Sequence, residues 1–210
     1  FKKKQHQSQK RYEINQEFFD SPAVKNSYWA GFIAADGHLS KDNGLRISLS
    51  SKDESIVHNF VDHVGYDGKT RRHNGCSLDH EYITVDIWGV ERWHNCLAKN
   101  WNIPRRRKTL TIGPPKNLSY KNSLAYIWGL IDGDGWVSKK GYLGFCGTRP
   151  LVLWVRNILG DIPKNRVNIR TNGGSQVNYR CQWAKRDTES IIEELKLVTE
   201  IDWGLKRKIG

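Results

Sequence analysis

Apolar and polar residues alternate in four short segments, 45–50, 82–88, 167–170 and 178–183. Such alternation is typical of β-strands that bury one face. The polar positions carry mainly arginine, asparagine, serine and glutamine. An antiparallel sheet can pack one face on a core and leave the other in water. We therefore expect sheets whose outer faces are polar.

Segments with helical spacing of apolar residues lie between these strands. The sequence Ser51-Lys52-Asp53-Glu54 resembles a capping box, and it opens a predicted helix that ends at Gly65. A counterpart starts at 148–150 and ends at Gly160, and a third helix is predicted near 90–100 and again near 188–199. Each half is therefore predicted to run helix, hairpin, helix, hairpin, helix. This order predicts an α+β fold of two pseudo-symmetric αββαββα halves, each with an antiparallel sheet.

One segment of the chain occurs twice. Residues 28–41 return as residues 126–139, and seven of the fourteen aligned pairs are identical, among them Gly31 with Gly129 and Asp36 with Asp134. Because small residues allow two helix backbones to approach closely, we expect the two copies to pack on each other. Their ends would then bring the two aspartates together.

The repeat and the composition suggest a domain division. We predict a basic N-terminal arm at 1–20, a first half-domain at 21–112, a linker at 113–119 and a second half-domain at 120–210. The linker begins with Gly-Pro-Pro, which cannot continue a helix. The formal charge is +12, which favours a polyanionic partner and in particular nucleic acid. A basic protein without a specific partner is the simpler alternative.

Other features of the sequence narrow the class of protein. The four cysteines are widely spaced, which excludes a zinc finger and predicts reduced thiols. No apolar stretch approaches the roughly 20 residues that cross a bilayer, and the first residues lack a signal-like apolar core. We expect an intracellular protein that does not bind membranes. The sequence does not distinguish a prokaryotic cytoplasm from an organelle matrix or stroma.

The repeated motif resembles a known signature. Segments 29–37 and 127–135 are similar to the nine-residue motif of the LAGLIDADG homing endonucleases, and residues 25–210 resemble their single-chain, two-domain form. Ala34 departs from the usual acidic residue at the sixth motif position, which Asp132 keeps. The resemblance implies a monomer, without an obligate protein partner, that grips double-stranded DNA in a saddle around two packed motif helices. It further implies hydrolysis of both strands at a long asymmetric target, and an intron-encoded origin.

The paired aspartates suggest a metal site. Two carboxylates at helix C-termini repel each other and face the negative end of each helix dipole, and a hard divalent cation would offset both effects. The resemblance implies that Asp36 and Asp134 are catalytic and bind metal, with the carbonyls of Ala35 and Gly133 as further ligands. Mg²⁺ or Mn²⁺ would support cleavage, and Ca²⁺ would substitute without catalysis. A single Asp-Gly could equally form only a turn.

Further candidate residues follow from the same resemblance. Lys108 and Lys208 stand at matching places near the end of each half and are candidate catalytic lysines, although each lies in a basic run that could simply contact phosphates. At the end of the second strand, Ser51 and Gly147 match a position that can orient water. Outward-facing residues predicted to contact DNA are His38, Ser40, Arg46, Ser48, Ser50, Lys69, Arg71, Trp136, Ser138, Lys139, Asn168, Arg170, Arg180 and Gln182.

Two other functions fit the same sequence. One is a non-cleaving nucleic-acid-binding protein of the same fold, such as an RNA maturase or a transcription regulator. The other is a basic scaffold without a specific site. Because both motifs keep their aspartates, we favour the endonuclease.

Overall fold

The computed structural model of the chain describes residues 12–75, 80–160, 168–171 and 177–204, with the side chains of 168–171 and 177–178 outside that description. The first half contains α1 (Val24–Ala35), β1 (His38–Leu39), β2 (Leu45–Ser50), α2 (Glu54–His63), β3 (Arg71–Asn74), β4 (Glu81–Ile87) and α3 (Glu91–Lys99). After one helical turn, α4 (Lys108–Thr111), the second half contains α5 (Tyr120–Asp134), β5 (Trp136–Val137), β6 (Leu143–Gly147), α6 (Arg149–Ile158), β7 (Asn168–Thr171), β8 (Val177–Trp183) and α7 (Lys185–Thr199). The predicted α+β class and the αββαββα order of both halves are confirmed.

Each half contains one four-stranded antiparallel sheet. The strand orders are β1-β2-β4-β3 and β5-β6-β8-β7. The registers also correspond, since Leu45 lies opposite Ile87 in one sheet and Leu143 lies opposite Trp183 in the other. These four side chains are buried, whereas the intervening positions form the opposite face. The alternation in the sequence therefore predicts the buried face correctly.

Two glycines allow the motif helices α1 and α5 to pack closely. A Cβ atom on Gly31 would lie 2.0 Å from the carbonyl oxygen of Tyr126, and a Cβ atom on Gly129 would lie 2.0 Å from that of Tyr28. Both distances are far below van der Waals contact, so neither position has room for a side chain. The predicted packing of the two helices through small residues is confirmed.

Two predictions about local structure need correction. The arm was predicted to reach residue 20, but Phe18 and Phe19 are buried and the carbonyl of Phe19 accepts a 3.0 Å hydrogen bond from Trp101 Nε1. Aromatic burial thus fixes the end of this segment to the first half, while residues 1–11 lie outside the described residues. The capping box is also wrong, because the side chain of Ser50 caps a 3₁₀ turn that precedes α2.

Two simpler expectations concern thiols and membranes. Cys96 and Cys181 carry free thiols, and Cys76 lies outside the described residues. None of the helices in the described ranges is long and apolar enough to span a bilayer.

Candidate active site and nucleic-acid interface

The two motif aspartates lie at the ends of the central helix pair. Asp36 caps α1 and Asp134 is the last residue of α5, and both are exposed. The two helix ends adjoin, since a Cβ atom on Gly133 would lie 2.3 Å from Cβ of Ala35 and 3.5 Å from the backbone nitrogen of Asp36. Two carboxylates from different halves are therefore presented at one place.

A glycine follows each aspartate for a steric reason. A Cβ atom on Gly37 would lie 2.7 Å from Cα of Ile33, and one on Gly135 would lie 2.6 Å from the carbonyl oxygen of Ile131. The chain thus turns back tightly against the last helical turn before it enters β1 or β5. The Asp-Gly pairs form turns, as the simpler interpretation of one motif predicts, and these turns also hold the carboxylates at the helix ends.

Lys108 lies at the C-terminal end of α1. Its Nζ donates hydrogen bonds to the carbonyl oxygens of Ile33 at 2.8 Å, Ala35 at 2.8 Å and Gly37 at 2.5 Å. The last carbonyls of a helix lack intrahelical partners and carry the negative end of its dipole, so a cation is favourable there. The backbone of Arg107, which has a left-handed φ of 52°, precedes this lysine.

Burial lowers the pKa of Lys108 to about 8, although the charges of Asp134 and Asp36 act in the opposite direction. Both carboxylates therefore act electrostatically on the same ammonium group. A cavity of about 260 Å³ opens beside Lys108 and Asp134 and extends to Gly147. Since a water molecule takes up about 30 Å³, this space is large enough for several waters or a phosphate group.

The polar face of the first sheet carries a pair of arginines. Arg46 Nε donates to Asp86 Oδ1 at 2.5 Å, and Arg71 forms an ion pair with the other oxygen of Asp86. Burial raises the pKa of the Asp86 carboxyl, but the hydrogen bonds and charges of the two arginines outweigh burial and leave the pKa below its usual range. Asp86 is therefore an anion held between two cations.

Other predicted contact residues of the first half lie around this cluster. Ser48 Oγ and Thr84 Oγ1 share a 2.6 Å hydrogen bond, and His38 lies opposite Arg46 in the sheet. Ser40 Oγ accepts from the backbone nitrogen of Gly44, so it also closes the β1–β2 turn. Ser50 is the cap described above, and Lys69 is exposed just before β3.

The polar face of the second sheet is built differently. The guanidinium of Arg180 lies 4.4 Å from the ring centroid of Trp136, and its NH2 group donates to Gln182 Oε1 at 2.7 Å. Gly144 lies beneath the indole, because a Cβ atom there would approach Trp136 to 2.0 Å. Ser138 closes the β5–β6 turn as Ser40 closes its counterpart, by accepting a bond from the backbone nitrogen of Tyr142.

Three of the predicted site residues lie wholly or partly outside the described part of the chain. Lys208 lies outside the described residues, and for Asn168 and Arg170 only the strand position in β7 is described. Lys139 is exposed next to the β5–β6 turn.

Comparison with known proteins identifies the fold. No protein-family model matches the chain, and no curated protein sequence does. Among solved structures, the homing endonuclease I-WcaI bound to its DNA recognition sequence has a TM-score of 0.54 at 14% identity, over 88% of this chain and 84% of that one. The LAGLIDADG meganuclease I-CpaMI bound to uncleaved DNA has a TM-score of 0.53 at 14% identity, over 87% of this chain and 86% of that one.

A third match is full-length DUF199/WhiA from Thermatoga maritima, with a TM-score of 0.52 at 15% identity over 90% of this chain. The match spans 63% of that longer protein. The chain has the LAGLIDADG fold.

Within the LAGLIDADG fold, sequence reasoning overlooked two polar residues. Asp86 alternates with buried residues in β4, and this pattern predicts its outward position, but its acidic side chain does not suggest DNA contact. Asp132 was noted only as the sixth motif residue, yet it is buried and accepts a 2.6 Å hydrogen bond from Tyr28 Oη on the facing helix. The motif alone gives no signal for that pairing, because Tyr28 precedes its own copy of the motif.

Proposed function

We propose that this protein is a site-specific, metal-dependent endonuclease that hydrolyses double-stranded DNA, a homing endonuclease of the single-chain type. The observation that carries the proposal is the pair of exposed carboxylates, Asp36 and Asp134, at the adjoining ends of α1 and α5. A turn alone would not need a carboxylate at the same position in both halves.

The residues present suit a hard divalent cation. Asp36 and Asp134 would hold it as a pair of carboxylates, since the described residues contain no group of three or more His, Cys, Asp or Glu that could hold a metal ion. Mg²⁺ binds through one or two carboxylates and completes its shell with waters and phosphate oxygens. When bound, the ion would lower the pKa of a water and stabilise the leaving oxygen.

The protein's own residues would prepare this site. The two aspartates, one from each half, can orient waters toward a phosphate that enters from solvent. Lys108 fixes the end of α1 and offsets part of their negative charge. Because the Ala35 carbonyl already accepts a hydrogen bond from Lys108, a cation at that oxygen would compete with the ammonium group. Gly133, as a further ligand, and Lys208, as the counterpart of Lys108, remain predictions.

The sheet faces would supply recognition. A two-stranded or wider sheet can enter the major groove, where arginine pairs with guanine and amides pair with adenine. Because Arg46 and Arg71 carry the charge in one sheet and Arg180 and Gln182 occupy the other, we infer an asymmetric target. We also propose that the two predicted half-domains act within a monomer, and that the coding sequence derives from an intron.

Cleavage of a randomised duplex library tests the proposal. Wild-type protein should cut one group of related sequences with Mg²⁺ or Mn²⁺ and should only bind them with Ca²⁺. Asp36→Asn and Asp134→Asn should each abolish double-strand cleavage and keep binding, whereas Asp42→Asn, an exposed acid in the β1–β2 turn, serves as the control. Cutting by both motif variants at the wild-type rate would disprove the assignment of the site.

A second function follows from the interactions of Lys108. Its ammonium compensates the negative end of α1 through hydrogen bonds to the carbonyls of Ile33 and Gly37, and Gly147 offers no side chain to orient water. A protein that binds nucleic acid without cutting it, as a transcription regulator or an RNA maturase would, is consistent with these features. Tight binding of one duplex, with no cleavage in Mg²⁺ or Mn²⁺, would favour the regulator, and preferential binding of intron RNA would favour the maturase.

A further inference from the structure

The matching registers of the two sheets allow their polar faces to be compared position by position. His38 lies opposite Arg46, as Trp136 lies opposite Gly144. The next strand places Asp86 opposite Arg46 and places Gln182 opposite Gly144. The first sheet thus has a carboxylate where the second has a neutral amide.

Asp86 is the least exposed residue in the cluster that it forms with Arg46 and Arg71. Its side chain is 11% exposed, whereas those of Arg46 and Arg71 are 51% and 67% exposed. One carboxylate oxygen accepts from Arg46 and the other from Arg71. The carboxylate therefore lies low on the sheet, and the two guanidinium groups stand above it.

This arrangement restrains two long side chains. A free arginine loses rotamer entropy when it is fixed. Here part of that loss is incurred before any ligand arrives, because each guanidinium is held along one edge. An arginine held in this way presents its remaining N–H groups in a defined direction, and bidentate pairing with guanine O6 and N7 requires such a direction.

The charge of Asp86 also disfavours an alternative partner. A phosphate that approached Arg46 or Arg71 would have to compete with a carboxylate already bound to both. A base edge carries no net charge, so the carboxylate repels it less than it repels a phosphate. The cluster therefore favours base contacts over backbone contacts.

We propose that Asp86 is a positioning residue that determines specificity, by holding Arg46 and Arg71 so that they contact bases in one half of the target. The inference rests on the proposed function and extends it. In the second sheet, Trp136 and Gln182 restrain Arg180 without a carboxylate. The base preference should therefore depend on a carboxylate in one half-site only.

The test is selection from a randomised duplex library in Ca²⁺, which should support binding without cleavage. Asp86→Asn should lower base discrimination at positions in one half-site by about 5- to 150-fold, the value of one good bidentate pair. Its affinity for nonspecific duplex should rise, because a negative charge is lost from the DNA-facing sheet. Glu81→Gln removes the same charge from the opposite face of β4, where Glu81 pairs with Arg72, and is the matched control.

Two further variants keep the test decisive if Asp86→Asn is unstable. Arg46→Gln leaves the carboxylate in place and should relax base positions that overlap those relaxed by Asp86→Asn, and Arg180→Gln should relax positions at the other end of the site. An unchanged selection profile for folded Asp86→Asn, or non-overlapping positions for Arg46→Gln, would overturn the inference. If the wild type selects no sequence at all, the proposed function fails instead.

Discussion

Tyr28 Oη donates a 2.6 Å hydrogen bond to Oδ2 of the buried Asp132 and thereby links the two motif helices. Burial, together with the adjacent Asp132, raises the pKa of the Tyr28 hydroxyl well above its usual value, so this hydroxyl stays protonated as a donor. The pseudo-symmetric residue, Tyr126, is also buried, but its hydroxyl has no hydrogen-bond partner in the described part of the chain. The residue that corresponds to Asp132 in the first half is Ala34, which cannot accept such a bond.

We predict different effects for two matched tyrosine substitutions. Tyr28→Phe removes a donor from a buried carboxylate and should lower the free energy of unfolding by about 1–3 kcal/mol. Tyr126→Phe removes an unsatisfied hydroxyl and should be neutral or slightly stabilising. Chemical denaturation of both variants measures the difference. Equal losses would show that the hydroxyl–carboxylate bond contributes no particular stability.

The helix pair should not tolerate side chains at its crossing point. Gly31→Ala and Gly129→Ala each place a methyl group 2.0 Å from a carbonyl oxygen of the facing backbone. We expect losses of about 3 kcal/mol or more, at the upper end for overpacked sites, because backbone cannot move aside as a side chain can. Gly147→Ala is the control, since its nearest neighbour is the ring edge of Phe145 at 3.1 Å. Thermal unfolding that is alike in all three variants would contradict close packing at α1 and α5.

Mild acid should destabilise the protein through His63. Trp29 Nε1 donates to His63 Nδ1 at 2.9 Å, so this nitrogen must be unprotonated. Burial lowers the pKa of His63, and the charge of Lys25 adds to the effect, against opposite effects from Asp62 and Asp202. A lowered folded-state pKa means that the contribution to stability is complete above the ordinary value of 6.5 and is lost as pH falls below it.

The measurement is the melting temperature between pH 7.5 and pH 5. His63→Gln should reduce the fall in melting temperature as the pH is lowered. Part of the fall should remain, because His94 is also buried and burial also lowers its pKa. His58→Gln, an exposed histidine on the same helix, is the control and should keep the wild-type slope. A slope that is unchanged in His63→Gln would assign the acid sensitivity to other groups.

Trp136 should matter for recognition through Arg180. A cation–π contact contributes about 0.5–1 kcal/mol at an exposed site, so Trp136→Leu should weaken base discrimination at the Arg180 end of a target by about 2- to 5-fold. Trp88→Leu is the control, because Trp88 is 59% exposed and lies against Gly44 at the edge of the first half, beyond the ends of β4 and β2. Library selection with the two variants measures the effect. Relaxation at the same base positions in both would show that neither tryptophan acts through Arg180.

The repeat and the alternating patterns were enough to predict the architecture. Leu45, Ile47 and their partners in β4 alternate with period two, and Gly31 and Gly129 share one register in two copies of the motif, so the buried faces and the helix pair could be predicted. The capping of the 3₁₀ turn by Ser50 could not, because two neighbouring serines offer the same chemistry. The burial of Phe18 and Phe19 could not be predicted either, because their neighbours in the sequence are mostly polar and form no apolar pattern.

Part of the candidate site could also be predicted, because the motif that contains it is repeated. Asp36 and Asp134 are repeated and could be found in the sequence, whereas the contact of Lys108 with the end of α1 depends on a loop whose path is set by tertiary packing. The bonds of Asp86 to two arginines join three different strands. Such a cluster is visible only when the register of the strands is known.

The period-two alternation of both sheets has a consequence for how such a protein can change. One set of positions, including Leu45 and Leu143, maintains the core, and the intervening set, including Arg46 and Gln182, faces outward. Substitutions in the outer set need not disturb folding, and a change in one half need not be matched in the other. A duplicated fold of this kind can therefore acquire a new target one half-site at a time, while its stability is maintained by residues that never meet the ligand.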